Sequence, residues 1–264
     1  MSLATQPGLF VLSIDTSLKR ETKAVAALAV AVAEHLAASR VPATWALDLA
    51  TNPDLVVDLK CADPAHEIAL LADRSWAGRH TPRHLVAAEL ERRVRRAAAA
   101  GHPPCTLVLA EGHVTEHLDL LVKQGITAVR SAARSWRRHD ARGGAAWLRR
   151  WRGAEAASAP VRSLRWGLWE VGKSLDVIGL RHGAVGRAID RAAAGGGLVH
   201  LSLDLAGLTG NVSAGLKQLD RIAAQVAPLR ERRAIEALTI AGLAARLSRP
   251  RQNPPARSIL RPAA

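Results

Sequence analysis

The stretch Phe10-Val11-Leu12-Ser13-Ile14-Asp15-Thr16-Ser17 reads as a buried strand that ends in an acid and two hydroxyls. Its apolar run is too short for a helix. Working outward, residues 22–39 form an Ala-rich helix, and residues 43–47 a second strand entered through Pro42. Residues 67–71 supply a third strand. Thr81-Pro82 then opens a helix that stops at Gly101, since Thr can cap free backbone N–H groups and Pro suits the first helical position. Residues 106–109, 126–129, 164–170 and 198–203 read as further strands, and a short one follows at 237–240. Helices fall at 114–124, 185–194 and 213–226, the last with Leu216, Leu219, Ile222 and Ala223 on one face. Repeated β–α units imply a parallel sheet covered by helices, open or closed into a barrel.

Size and composition agree with one α/β domain. The chain has 264 residues, 48% of them hydrophobic, and barrels of this length are commonly undivided. The expected organisation is a short N-terminal extension (1–8), a core domain (9–247) and a basic, Pro-rich tail (248–264). No apolar run is long enough to cross a bilayer. The N-terminus lacks the pattern of a signal peptide, which places the protein in the cytoplasm. Cys61 and Cys105 form no CxxC pair, so a cysteine zinc site is excluded. They read as two small buried thiols.

One segment interrupts the alternation. Residues 130–165 hold ten arginines interleaved with Trp136, Trp147 and Trp151, against Asp140 and Glu155 as the acids. Arg134, Arg137, Arg138, Arg149 and Arg150, with Trp147 and Trp151, could neutralise phosphates and stack on unpaired bases. Nucleic acid or an anionic surface is therefore one candidate partner, and a solvated basic loop is the other reading. The net charge of +14 fits either, and Arg outnumbers Lys as a GC-rich coding sequence would dictate.

In parallel α/β folds, function sits at the carboxyl ends of the strands. Asp15, Asp73, Glu111 and Asp204 fall there and could ring one mouth. Asp15 and Asp204 are the catalytic candidates. Trp45, Asp73, Trp76 and Glu111 are candidates for a substrate pocket.

The order of segments "FVLSIDTS", "VPATWAL", "HEIALLADRSW", "TPRHLVAAELERR", "CTLVLAEGH" and "HLDLLVKQGITAV" resembles the polysaccharide deacetylase (NodB homology) family, the carbohydrate esterase family 4 type. The resemblance covers about residues 9 to 130, with a weaker echo through 204. It implies a distorted (β/α) barrel of the glycoside hydrolase–deacetylase type. It also implies a carbohydrate partner and a divalent metal, Zn²⁺ or similar, that activates water for attack on an acetyl group.

The sequence departs from the family at the positions that matter for this chemistry. Thr16 and Ser17 follow Asp15 where a second acid is expected, and the two ligand-His positions fall on Leu71 and Ser75. The family's Arg after the fourth strand corresponds to Ala110 or Glu111, and its late His to Asp204. His80 and His84 stand at i, i+4 and could share one metal on a helix face. Their register is shifted, however, and Thr81-Pro82 also reads as a simple helix start. Two outcomes follow from the resemblance: a deacetylase-like protein without its cofactor, or an active deacetylase with a metal held by His80 and His84.

Overall fold

A computed structural model describes residues 6–16, 23–48, 53–110, 117–131, 161–173, 175–177 and 182–249. β1 (Gly8–Asp15) lies at the centre of a ten-stranded sheet. One flank of β1 is shared: β10 (Ile235–Leu238) pairs with its first half and β2 (Thr44–Leu47) with its second. β9 (Leu198–Asp204) runs along the whole of the other flank, pairing Leu9 with Leu198 and Asp15 with Asp204. Beyond β2 come β3 (Glu67–Ala72), β4 (Thr106–Leu109), β5 (Ala128–Ser131) and β7 (Trp169–Gly172), all parallel. β6 (Val161–Ser163) closes that edge as an antiparallel partner of β7.

The two ends of this order are joined by the chain itself. β7 pairs with β5, and β8 (Leu175–Asp176), which begins three residues after β7 ends, pairs with β9. The chain thus leaves one end of the sheet as β7 and joins the other as β8, curling the sheet into a distorted barrel.

Helices α1 (Lys23–Ala38), α2 (Pro53–Ala62), α3 (Arg74–Ala77), α4 (Arg83–Ala99) and α5 (Leu118–Lys123) cover the outer face. They are followed by α6 (His182–Gly195), α7 (Leu205–Leu208) and α8 (Val212–Glu231). Alternate residues of each strand point outward to meet them, as strand geometry requires. Phe10, Leu12 and Ile14 of β1 join Trp45, Leu70, Leu107 and Leu201 in one large buried cluster with these helices. Burial of each such side chain contributes about 1.5–3 kcal/mol. Gln225 of α8 clasps α6, its amide donating to Gly186 O at 3.0 Å and to Asp190 at 2.8 Å.

The inner face is filled differently. At the floor, α9 (Ile240–Ser248) inserts Ile240, Leu243 and Ala244 against Val11, Ala128 and Val171. Its first turn is capped by the strand ends beneath it. Ile240 N–H donates to Thr44 Oγ1 (2.8 Å), Ala241 N–H to Glu67 Oε2 (2.9 Å) and Gly242 N–H to Thr239 Oγ1 (3.0 Å). Three of the four N–H groups that a helix leaves open are satisfied, one by a carboxylate placed at the positive end of the dipole.

Several local expectations are corrected. The segment expected as one strand over 164–170 is a hairpin, because Trp166 (φ 60°) and Gly167 (φ 77°) turn the chain between β6 and β7. Thr81 does not cap α4: its hydroxyl takes Gly78 N–H at 3.1 Å, and Pro82 holds the cap position. Cys61 and Cys105 are exposed, not buried, one in the last turn of α2 and one at the entry to β4. β10 begins two residues earlier than the pattern suggested, since Ile240 belongs to α9. Among the described residues no helix is long and apolar enough to cross a membrane.

Candidate functional site at the barrel mouth

Asp15 ends β1 and faces the barrel interior, on the same side as Ser13. Parallel register places Ala46 beside Asp15 and Trp45 beside Ile14 on the opposite face. Arg130 of β5 crosses the interior to both polar residues of β1. Its Nη2 donates to Asp15 Oδ2 at 2.5 Å and its Nη1 to Ser13 Oγ at 2.7 Å. Only 4% of the Arg130 side chain is exposed, against 22% for Asp15, so the ion pair lies below the rim with the acid toward solvent. Asp15 Oδ1 is buried and has no partner among the described residues.

Beneath this pair sits His200 of β9, fully buried. Its Nε2 is 2.9 Å from Ser13 Oγ and its Nδ1 2.9 Å from Gly172 O. Burial, reinforced by the Arg130 cation, pushes its pKa down to about 3, so it is neutral at pH 7. Nearer the rim, Ser202 donates to Asp176, which also takes Lys173 Nζ at 2.6 Å. Burial pushes the Asp176 carboxyl up, but the Lys173 and Ser202 hydrogen bonds outweigh it and hold the group below its ordinary range.

Asp204 stands across the β1–β9 register from Asp15. It is exposed, and its carboxylate caps α7 by accepting Ala206 N–H at 3.0 Å. Partial burial raises its pKa, and the charge of Asp15 adds to the effect. The two catalytic candidates are therefore neighbours at one mouth with different roles: Asp15 is an anion tied to arginine, and Asp204 is a helix cap.

The remaining candidates do not converge with them. Asp73 caps α3, accepting Ser75 N–H at 2.9 Å and the Ser75 hydroxyl at 2.5 Å. Leu71, at the first ligand position, is 2% exposed and packs inside the barrel with Ala46, Ala69 and Val108. Trp45 and Trp76, expected as pocket walls, are core residues. Trp45 is fully buried under α1, edge-on to His66 at 5.7 Å, and Trp76 lies 5.1 Å below the Arg93 guanidinium. Arg93 is itself buried, bonded to Asp48 at 2.5 Å and Glu89 at 2.7 Å. His66 accepts Ala43 N–H on Nδ1, which makes it a brace at the entry to β3.

His80 and His84 are exposed, one in the turn before α4 and one in its first turn. Among the described residues no group of three or more His, Cys, Asp and Glu side chains is arranged to hold a metal ion. Glu111 and the Arg/Trp candidates Arg134, Arg137, Arg138, Trp147, Arg149, Arg150 and Trp151 lie outside the described residues. The residues that bracket the Arg/Trp candidates, Ser131 and Val161, sit at the mouth end of β5 and β6.

Sequence reading missed Ser13, Arg130 and His200, the centre of the polar network. A signal for two of them is present. In Leu198-Val199-His200-Leu201-Ser202-Leu203-Asp204 the polar residues recur every second position, as Ser13 and Asp15 do in β1. Period-two polarity within a buried strand marks a face that looks into a polar interior.

No family model matches the sequence, and no curated protein matches it. Solved structures do. A putative polysaccharide deacetylase from Mycobacterium smegmatis superposes with a TM-score of 0.59 at 14% identity, over 93% of this chain and 92% of that one. A probable polysaccharide deacetylase from Pseudomonas aeruginosa PAO1 gives 0.59 at 11% identity, over 90% and 89%. A carbohydrate esterase family 4 pseudoenzyme from Bacillus anthracis gives 0.52 at 11% identity, over 90% and 66%. At such low identity the likeness speaks to the backbone. The chain has the fold of the NodB-type polysaccharide deacetylases, a distorted (β/α) barrel in a single domain.

Proposed function

We propose that this chain is a polysaccharide deacetylase-like protein that has lost metal-dependent hydrolysis and acts in carbohydrate binding or metabolism. The observation that carries the reading is the state of the donor positions. Asp15 is committed to Arg130, Leu71 fills an apolar layer, and Ser75 is spent in a turn with Asp73. A divalent cation would polarise an acetyl carbonyl and acidify a water in this fold family. An aliphatic side chain and a capping hydroxyl do not supply ligands for one, so the residues present do not fit that group.

What the mouth retains is suited to recognising hydroxyl-rich ligands. Asp15, Asp176, Lys173 and Asp204 line the same rim, and among the described residues Asp15 Oδ1 accepts no hydrogen bond. A sugar hydroxyl can donate to the rim carboxylates and accept from the lysine. The pseudoenzyme relative supports the reading by precedent, since a protein of this fold is described as lacking activity.

The test is a pair of measurements on the full chain. Metal content by mass spectrometry is expected to be well below one per chain, with no acetate released from chitooligosaccharides. Saturation-transfer NMR is expected to show contact with the same oligosaccharides, lost in the Asp15→Leu, Arg130→Met double variant, which removes both charges together. Stoichiometric zinc together with acetate release overturns the proposal.

A further inference from the structure

His200 sits where the closing strand changes partners. Gly172 ends β7 against β5, and Leu175 begins β8 against β9. At that break the Gly172 carbonyl is taken by His200 Nδ1. A carbonyl only accepts, so Nδ1 carries the proton and Nε2 is a lone pair. Nε2 therefore takes the Ser13 hydroxyl proton. Ser13 Oγ, having given its proton, accepts from Arg130 Nη1, while Nη2 goes to Asp15. The donors run in one direction, from Arg130 through Ser13 and His200 to the backbone of β7.

We propose that His200 is an acid-sensitive latch: proton uptake at Nε2 breaks this chain of donors and opens the barrel between β7 and β9. A protonated imidazole donates from both nitrogens. Ser13 Oγ would then face two cationic donors, and its own proton would be left with Leu201 O at 3.5 Å. The charges around the ring set the balance. Arg130 from β5 and Lys173 from the β7–β8 link oppose a second cation. Asp176 from β8 favours it, but is already bonded to Lys173 and Ser202. Asp15 and Asp204 stand at the rim, the first held by Arg130 and the second capping α7.

In the closed barrel the imidazole pKa is about 3, whereas an opened seam returns it to water and about 6.5. Between those values the open form binds one more proton than the closed form. Opening becomes easier by up to about tenfold per pH unit as pH falls from 6.5. The latch is independent of what the mouth binds.

Hydrogen exchange on the full chain at pH 7.5, 6 and 5, corrected for intrinsic rates, tests it. Protection of residues 169–172 and 198–203 is expected to fall about tenfold per unit below pH 6.5. Residues 67–72 are expected to keep theirs. In His200→Gln, which can still donate and accept but does not titrate, that pH dependence is expected to vanish. If this variant does not fold, nitrogen-15 imidazole spectra of the wild type decide. A neutral Nδ1–H ring in the closed protein, with Nε2 gaining a proton only as protection of residues 169–172 and 198–203 is lost, supports the latch. Titration near 6.5 in the closed protein, or protection lost evenly over the whole barrel, overturns it.

Discussion

Arg130 and Asp15 lie four strands apart in the sheet order, yet their side chains meet at 2.5 Å across the barrel interior. The contact bridges β5 and β1 across interior positions of β2, β3 and β4 that are small or apolar, such as Ala46, Ala69 and Val108. It brings charge into the core and ties one oxygen of the Asp15 carboxylate to the guanidinium.

A buried pair of this kind costs most when half of it is removed. Arg130→Met is expected to destabilise the fold by about 3–5 kcal/mol, because Asp15 loses its counter-charge and Ser13 a donor. Asp15→Leu is expected to cost a similar amount by stranding the guanidinium. The double variant, which replaces both charges by apolar groups, is expected to recover most of the loss. Urea unfolding of the four proteins measures the coupling, and additive costs would show that the two side chains act separately.

His80 and His84 offer a sharp contrast. Both are exposed and neither contacts the Asp15 mouth. His80→Ala and His84→Ala are expected to change stability by less than about 0.5 kcal/mol each and to leave metal content unchanged. Loss of bound zinc in either variant would instead place a metal at this turn.

The difference between these two cases shows what was legible in the sequence. Strand and helix order came from the period of apolar residues, which is a local property, and Asp15 and Asp204 could be placed at strand ends from that alone. Arg130 could not, because its meaning depends on the sheet curling until β5 faces β1, which no local pattern encodes. In sequence it opens a run of arginines and reads as solvated. Trp45 misled for a related reason. A strand has two faces, and the one beside Asp15 is set by the pairing of Trp45 with Ile14. The hairpin at Trp166 was hidden because a left-handed backbone at a bulky residue is rare, and Gly167 beside it stood alone as a turn signal within an otherwise strand-like run.

Glu67 tests how the floor of the barrel is held. Its Oε2 takes both the Thr44 hydroxyl at 2.8 Å and Ala241 N–H, joining β2, β3 and α9 through one carboxylate oxygen. Glu67→Ala is expected to cost about 1–2 kcal/mol, as loss of a helix cap does. Hydrogen exchange is expected to quicken in residues 240–248 before it changes in β1. Equal loosening throughout would mean that α9 is held by its apolar face and not by its cap.

Asp204 gives a prediction whose sign depends on pH. Its folded-state pKa is raised by partial burial and by Asp15, so the folded chain holds a proton there more tightly than the unfolded chain does. The favourable contribution is fully present below the ordinary carboxylate range and is lost as pH rises through the raised folded value. At pH 7 the ionised group opposes folding. Asp204→Asn removes that charge and keeps an oxygen that can accept Ala206 N–H, so the cap survives. Because Asp204 is exposed and solvent screens its charge, the variant is expected to be more stable than the wild type at pH 7.5 by less than about 0.5 kcal/mol, with the advantage shrinking toward pH 4. Denaturant melts at the two pH values decide it. A variant less stable at pH 7.5 would show that the Asp204 charge is used by a partner at the mouth and is not a burden there.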